Sequence, residues 1–480
     1  MSHKDKISEP NKAWESMEQL WTLIDDLYGG TISMRDARAK WLPVEERESA
    51  KAYNARLDRS ILYNSYRDTI KKIVSKPFSQ PVIVQGEGTG HEALEAIEDN
   101  ADRRGSDLTA FGREVFEAAV KYGMTHVLVD HPSNSNLSLA QQRERDIRPY
   151  FVHVPPTNLI AWRFKDERSE ELSQARIKET VCVPDGEWGE KEIERITVWF
   201  EDRVEVWENE SGNDDDGWVV AEGRDHTFGR IPLLTFYIDR TGTLTSTPPL
   251  EDLAWLNLAH WQSYSDQRNI LRVARVPIIL ATGFKDGELD GMTIGPSRFM
   301  ESLNPDAKLQ HIEHSGKALS AGAEDIVALE ERMVVLGLQP MTQKAGNTTA
   351  TGKAIDEGRT HTAIQAWIRG AENFIEALYG LAGEWIGAEI PDDFGIDINN
   401  DFGFTNRSAD EVSNLIKARV TGELSRETFL KELKRRGFLS EAVDIPKEEG
   451  MLEDEVPEPD VLVERSPEPP TQQPTGTEPR

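Results

Sequence analysis

The sequence predicts an α+β fold, on three observations. Residues 11–76 carry apolar side chains at helical spacing. Residues 147–240 break into short β-branched and aromatic runs separated by turn signals. From residue 247 the helical period returns on long segments, with short strand-like runs between them.

Each element follows from its residues. "AWESMEQLWTLIDDLYGG" places Trp14, Met17, Leu20/Trp21, Ile24 and Leu27 on one helix face, and Gly29-Gly30 stops it. "EERESAKAYNARLDRSILYNSYRDTIKKIVSKPF" reads as one long amphipathic helix ending before Pro77. A helix covers about 107–123, and "THVLVD" is a strand ending at Asp130. "RPYFVHV", "NLIAWRF", "IKETVCV", "RITVWFEDRVEVWE", "GWVVAE" and "PLLTFYI" are strands, with "PDGEWG" and "NDDDG" as turns. Together they predict an antiparallel β-rich region.

In "TPPLEDLAWLNLAHWQSYSDQRNILRVARVP", Thr247 is the expected N-cap and Pro248 the first helical residue. Glu251 and Asp252 suit the helix dipole. Leu250, Ala254, Leu258, Trp261 and Ser265 form one stripe, widened by Leu253, Leu256, Tyr264 and Leu271. A helix apolar over so much of its circumference is covered on several sides. "VPIILATGF", "MTIGPSRFM" and "AKLQHIEH" follow as short strands, then a helix to about 337 and a polar loop at 339–352. A long helix from about 352 to 388 carries Ile364, Trp367/Ile368, Ala371, Phe374/Ile375, Leu378 and Trp385. After a strand-like "IDINNDFGFTN", Ser408 and Ser425 cap two small helices that Gly422 and Gly437 stop. Residues 441–480 hold eight prolines and twelve acids against three bases, the composition of a disordered tail.

The formal net charge of -30 argues against a protein that clamps nucleic acid over its whole surface. It is compatible with handling DNA without holding it, because an acidic surface repels phosphates. No apolar run approaches the roughly 20 residues of a membrane span, so no membrane partner is expected. The polar start "MSHKDKISEPNK" carries no signal-peptide core. The single cysteine, Cys182, excludes an intrachain disulfide and reads as a small buried apolar residue.

Gly346 to Lys353, "GNTTATGK", imitates a phosphate-binding loop. That motif needs four residues between its glycines and a hydroxyl after the lysine. Here five residues intervene, Ala354 follows, and the preceding segment has helical spacing (Ile326, Leu329, Met333, Leu336). Neither enzyme activity nor a cofactor is therefore expected. Gly86-x-Gly88-x-Gly90 lacks the dinucleotide-binding spacing and reads as a surface turn. His126, Asp130 and His131 are too few for a metal site, and Asp130 reads as a turn residue beside Pro132. His311 and His314, three apart on a strand, face opposite ways. Arg268, Arg272 and Arg275 lie at i, i+4 and i+7 near a helix C-terminus, as a solvated face or as a basic belt touching DNA.

The order helix, short strands, helix, polar loop, long helix resembles the portal proteins of tailed bacteriophages. The resemblance lies in "LEDLAWLNLAHWQSYSDQRNIL…VPIILATG", in "TATGKA" entering the long helix, and in "GELSRETFLKELKRRG". "YNARLDRSILYNSYRDTIKKIVSKPF" and "HVLVDHP" resemble one portal subfamily, and the likeness runs from roughly 15 to 440. It implies a ring, usually of twelve copies, at one capsid vertex, through which a separate terminase drives double-stranded DNA. Head-tail adaptor, major capsid and scaffolding proteins are the further partners implied, and the virion is the implied location.

By the same resemblance, 1–246 and 353–407 form a wing, 247–275 and 317–338 a helical stem, and 276–316 a small β clip. Residues 339–352 form a tunnel loop and 408–440 a helical crown. Met341, Thr342, Gln343, Lys344, Asn347, Thr348 and Thr349 would then face the channel, with Lys344 as the loop's main cation. Leu258 and Trp261 are expected to pack in the stem and to matter for ring assembly. The competing readings are another head-tail adaptor or minor capsid protein, and a nucleotide hydrolase using 346–353.

Overall fold

The computed structural model describes residues 6–86, 89–132, 146–209, 217–274, 278–284, 304–312, 317–337, 350–400 and 409–435. Helix and sheet are mixed, as the sequence predicts. The chain divides into two compact units, Met1–Asn400 and Asp401–Arg480.

The first unit opens with α1 (Lys12–Gly29), which buries Trp21, Leu23, Ile24 and Leu27 and stops where Gly30 takes φ 87°. A short α2 (Thr31–Asp36) follows. The next stretch is not one helix but two, α3 (Ala50–Arg59) and α4 (Ser65–Ser75). Tertiary contacts set the break. Ser60 turns extended and its hydroxyl donates to Ser265 Oγ at 2.9 Å. Asn257 accepts from the Tyr66 amide at 3.0 Å and donates to the Tyr63 carbonyl at 2.9 Å. Asn64 then caps α4 by accepting from the Arg67 amide.

β1 (Ile83–Gln85) leads to α5 (Glu92–Asp99), capped by His91, a helix the sequence reading lacks. Gly86 does more than turn the surface. Its φ is +85°, and a Cβ there would lie 2.4 Å from the Asp393 carbonyl oxygen. α6 (Leu108–Tyr122) and β2 (Met124–Asp130) follow as predicted.

β2 is central in a three-stranded antiparallel sheet, flanked by β3 (Tyr150–Val154) and β9 (Leu233–Tyr237). All seven of its residues are buried, the polar Thr125, His126 and Asp130 included, as befits a central strand covered on both faces. β4 (Leu159–Phe164), β5 (Leu172–Asp185), β6 (Gly189–Phe200), β7 (Arg203–Asn209) and β8 (Trp218–Asp225) form a five-stranded antiparallel meander. The two sheets share a core of Leu128, Val154, Leu159, Trp162, Trp199 and Val204. Cys182 is exposed, not buried, because β5 at that point pairs with β6 alone and no layer covers it. A small hairpin, β10 (Arg240–Gly242) and β11 (Thr245–Ser246), leads out of the sheets.

α7 (Glu251–Ala274) begins about one turn later than Thr247 and Pro248 suggest; the Glu251 amide donates to the Pro248 carbonyl in a turn ahead of it. β12 (Ile278–Thr282) pairs antiparallel with β13 (Lys308–Ile312), and α8 (Lys317–Leu336) returns alongside α7. The "MTIGPSRFM" strand and His314 lie outside the described residues.

α9 (Ala350–Ile386) buries Ile364, Ile368, Ala371, Phe374, Ile375 and Leu378, close to the predicted stripe. Through Phe374 it joins an aromatic run, Phe78–Phe116–Phe236–Phe374, with ring centroids 5.5 to 6.2 Å apart. Trp385 stacks on Phe228 at 4.6 Å and donates to the Val129 carbonyl at 2.8 Å. β14 (Gly395–Asp397) pairs with β1, tying the end of this unit to the stretch after its N-terminal helices.

In the second unit, α10 (Ala409–Val420) ends before Gly422 at φ +79°. α11 (Arg426–Arg435) is capped by Ser425, whose hydroxyl accepts from the Thr428 amide at 3.1 Å. Ser408, Gly437 and the 441–480 tail lie outside the described residues.

Candidate functional site

The candidate site is built on the α7–α8 hairpin. Its inner face is fixed by both packing and polar contacts. Trp261 is fully buried, Leu258 nearly so, and Leu329 and Met333 of α8 join them. Gln267 donates to the Leu319 carbonyl at 2.8 Å, and His260 Nε2 lies 3.2 Å from Glu330 Oε1. Gln262 reaches the Trp41 carbonyl at 2.9 Å. Ser265 and Asn257 hold the α3–α4 break, so one face of α7 is anchored in the N-terminal helices. Leu258 and Trp261 are thus buried within a single subunit. Their burial serves the fold of that subunit before it can serve any contact between copies.

The outer positions differ. Trp255, Ile270, Val327 and Val335 are exposed, Val335 at 72%. They are apolar residues on both helices of the hairpin that no described residue of this chain covers.

Arg268 and Arg272 are exposed, one turn apart toward the C-terminus of α7. Neither forms an ion pair among the described residues. Arg268 lies over the Tyr264 ring at 5.9 Å, which aims its guanidinium along the helix. Arg275 lies outside the described residues.

So do Met341, Thr342, Gln343, Lys344, Asn347, Thr348 and Thr349. The elements on either side of that loop are clear. Helix α8 precedes it, and Gly352 and Lys353 fall inside the first turns of α9. A phosphate nest forms where a strand turns into a helix, and the preceding element here is a helix.

A second polar region lies between the two sheets, in a cleft of about 370 Å³ lined by Asp130, Tyr150, His153, Trp199, Glu222 and Arg224 among others. Asp130 is no turn residue. Arg224 Nη2 grips both its oxygens at 2.5 and 2.6 Å, and the Tyr150 hydroxyl donates to it at 2.8 Å. His153 bridges Glu114 at 2.7 Å and Thr125 at 2.8 Å. That histidine hydrogen bond holds the Glu114 carboxyl below its ordinary range, against the opposing effect of burial. These charges satisfy one another and lock sheet to sheet. Among the described residues no group of three or more side chains is placed to hold a metal ion. Nor is any helix long and apolar enough to cross a membrane.

The sequence reading found Arg268 and Arg272 from their spacing, but not Trp255, Ile270, Val327 and Val335 as the open apolar positions. The signal was present: apolar residues surround α7. Which of them face the chain's own core is a tertiary fact.

A family model described as a domain of unknown function (DUF4055) matches residues 249–386. That span takes in α7, β12, β13, α8 and all of α9. No curated protein matches. Solved structures do. The neck of an empty gene transfer agent particle, computed with C6 symmetry, matches at 12% identity and TM-score 0.43, covering 77% of this chain and 89% of that one. The virion of a native gene transfer agent particle matches at 12% identity and TM-score 0.43, over 77% and 88%. The neck of the native particle, computed with C12 symmetry, matches at 13% identity and TM-score 0.37, over 76% and 88%. The chain is therefore similar, over about three quarters of its length, to components of a gene transfer agent particle.

Proposed function

We propose that this chain is a portal-type subunit that assembles into a ring at a capsid vertex, serving as the channel for DNA and the platform for terminase and head-tail adaptors. The observation that carries the reading is the order α7, β12–β13, α8, α9. It is the stem, clip, stem and long wing helix implied by the sequence resemblance. In this reading α7 and α8 are the stem, and the exposed Trp255, Ile270, Val327 and Val335 are covered by neighbouring stems. Twelve copies are what the resemblance implies.

The electrostatics suit sliding rather than gripping. A subunit of net charge -30 repels phosphates over most of its surface. Arg268, Arg272 and Lys344 then form sparse cationic belts, each phosphate contact steepening the salt dependence by about 0.9. The segment ahead of α9, 339–349, polar and followed by a helix that takes in 350–352 of the expected loop, acts as the tunnel loop. No catalytic role is assigned to it, because Gly352 and Lys353 belong to a helix that follows another helix.

Negative-stain imaging of the purified chain tests the proposal. Rings with a central hole are expected. A chain that stays monomeric at every concentration, or forms closed particles without a hole, would overturn it.

A further inference from the structure

Beyond Ile177 on β5 and before Glu194 on β6, the β5–β6 pair has no third strand among the described residues, and past the buried Ile193 at its root it projects as a ribbon. β4 pairs with β5 only as far as Ile177, and β7 pairs with β6 only from Glu194. The β5–β6 ladder runs on unbroken to Asp185 opposite Gly189. At roughly 3.3 Å per residue, residues 178–185 carry the turn about 25 Å outward. At its tip Gly186 takes φ +75°, and Trp188 is 91% exposed. Glu179, Asp185, Glu187, Glu190, Glu192 and Glu194 line the arm, against Lys191 and against Lys178, which pairs with Glu194 at 2.7 Å. An indole held in water on an acidic ribbon is an anchor without a socket among the described residues of its own chain.

A socket of the opposite character lies elsewhere on the surface. A groove of about 480 Å³ is walled by Tyr28, Tyr122 and Pro155 and carries Lys71, Arg113 and Lys121. Glu114 and Glu117 also line it, but Glu114 is engaged by His153 and Glu117 by the Tyr28 hydroxyl. Lys121 lies over the Tyr28 and Tyr122 rings at 4.7 and 4.6 Å and is ion-paired with Asp25 at 2.7 Å. Lys71 and Arg113 are exposed and make no ion pair among the described residues. On a chain with 85 acids against 55 bases, two exposed cations in one groove with no ion pair among the described residues, Lys71 and Arg113, stand out.

The groove shares Glu114 and His153 with the cleft where the arm is rooted at Glu179. A straight ribbon that starts beside the groove and projects about 25 Å away cannot return its tip there. We infer that Trp188 and the acidic arm dock into the Tyr28–Arg113–Lys121 groove of a second copy of this chain. Arm and groove are different surfaces, so the contact is heterologous, the type that closes into a ring when the rotation allows. The inference deepens the ring reading and rests on it for the neighbour.

Cys182, the sole cysteine, is exposed on the arm and reports docking without any new residue. In assembled wild-type protein its maleimide labelling should slow about tenfold relative to the dissociated subunit. Trp188→Ala, which removes only a solvent-exposed ring, should raise the half-assembly concentration roughly 30-fold in mass photometry. Glu187→Lys with Glu190→Lys should weaken assembly, and Lys71→Glu with Arg113→Glu in the same chain should restore it. Rings that form at the wild-type concentration in Trp188→Ala, with Cys182 labelled at the free rate, overturn the arm contact and leave the ring reading standing. A wild-type chain that is monomeric throughout overturns both.

Discussion

Trp261 gives the sharpest test of how α7 is held. It is fully buried, and its indole Nε1 has no hydrogen-bond partner among the described residues. Two substitutions separate these facts. Trp261→Ala leaves a cavity, and buried Trp-to-Ala changes cost about 3–5 kcal/mol. Trp261→Phe loses part of the ring but also removes a buried unpaired donor, whose desolvation costs about 1–3 kcal/mol. Its net cost should therefore be small, under about 1.5 kcal/mol. The first unit spans Met1–Asn400. A cooperative unit of that size melts with an entropy near 0.8 kcal/mol/K, so the alanine variant should melt roughly 4–6 °C lower and the phenylalanine variant within about 2 °C of wild type. Circular dichroism melts at two protein concentrations are the assay. Because Trp261 is buried within one subunit, the alanine loss should appear equally at both. An unchanged melt, a phenylalanine variant as damaged as alanine, or a loss that vanishes in the dissociated subunit would refute the packing described here.

Other expectations follow from single features. His126 is wholly buried and burial pushes its pKa from 6.5 down to about 3, with His153 acting in the same direction. Its neutral form is the folded one, so stability is present above pH 6.5 and is lost as pH falls toward about 3; a volume-conserving His126→Phe should flatten that acid limb in pH-dependent urea melts. Deleting 342–349 should leave assembly intact while particles package poorly or leak genome, and normal genome retention would remove the loop from the channel. Purified protein should show no ATP turnover above background, and turnover abolished by Lys353→Ala would revive the hydrolase reading.

Where the sequence sufficed, local periodicity and burial agreed. The α9 stripe from Ile364 to Leu378 faces the core because a helix of that length has one face to bury. The meander strands were legible from their β-branched runs and the turns between them. The break at 60–64 was not, because Asn257 and Ser265 impose it from about 200 residues away, and helical period alone carries no trace of that. Asp130 read as a turn residue because its partner Arg224 is 94 residues distant. Cys182 read as buried because alternation along a strand does not reveal whether a third strand or a second layer covers it. At the candidate site, the spacing of Arg268 and Arg272 was visible, whereas the outward direction of Trp255 and Val335 depends on which faces the N-terminal helices occupy.

The central claim is that α7 and α8 surround a DNA channel. A cryo-EM reconstruction of the purified assembly tests it most directly. The account predicts a ring in which these two helices encircle the narrow part, with Arg268 and Arg272 turned toward the lumen and Trp255, Ile270, Val327 and Val335 covered by the neighbouring subunit. A ring whose lumen is lined by the β4–β8 meander, with those apolar residues still exposed, would contradict it.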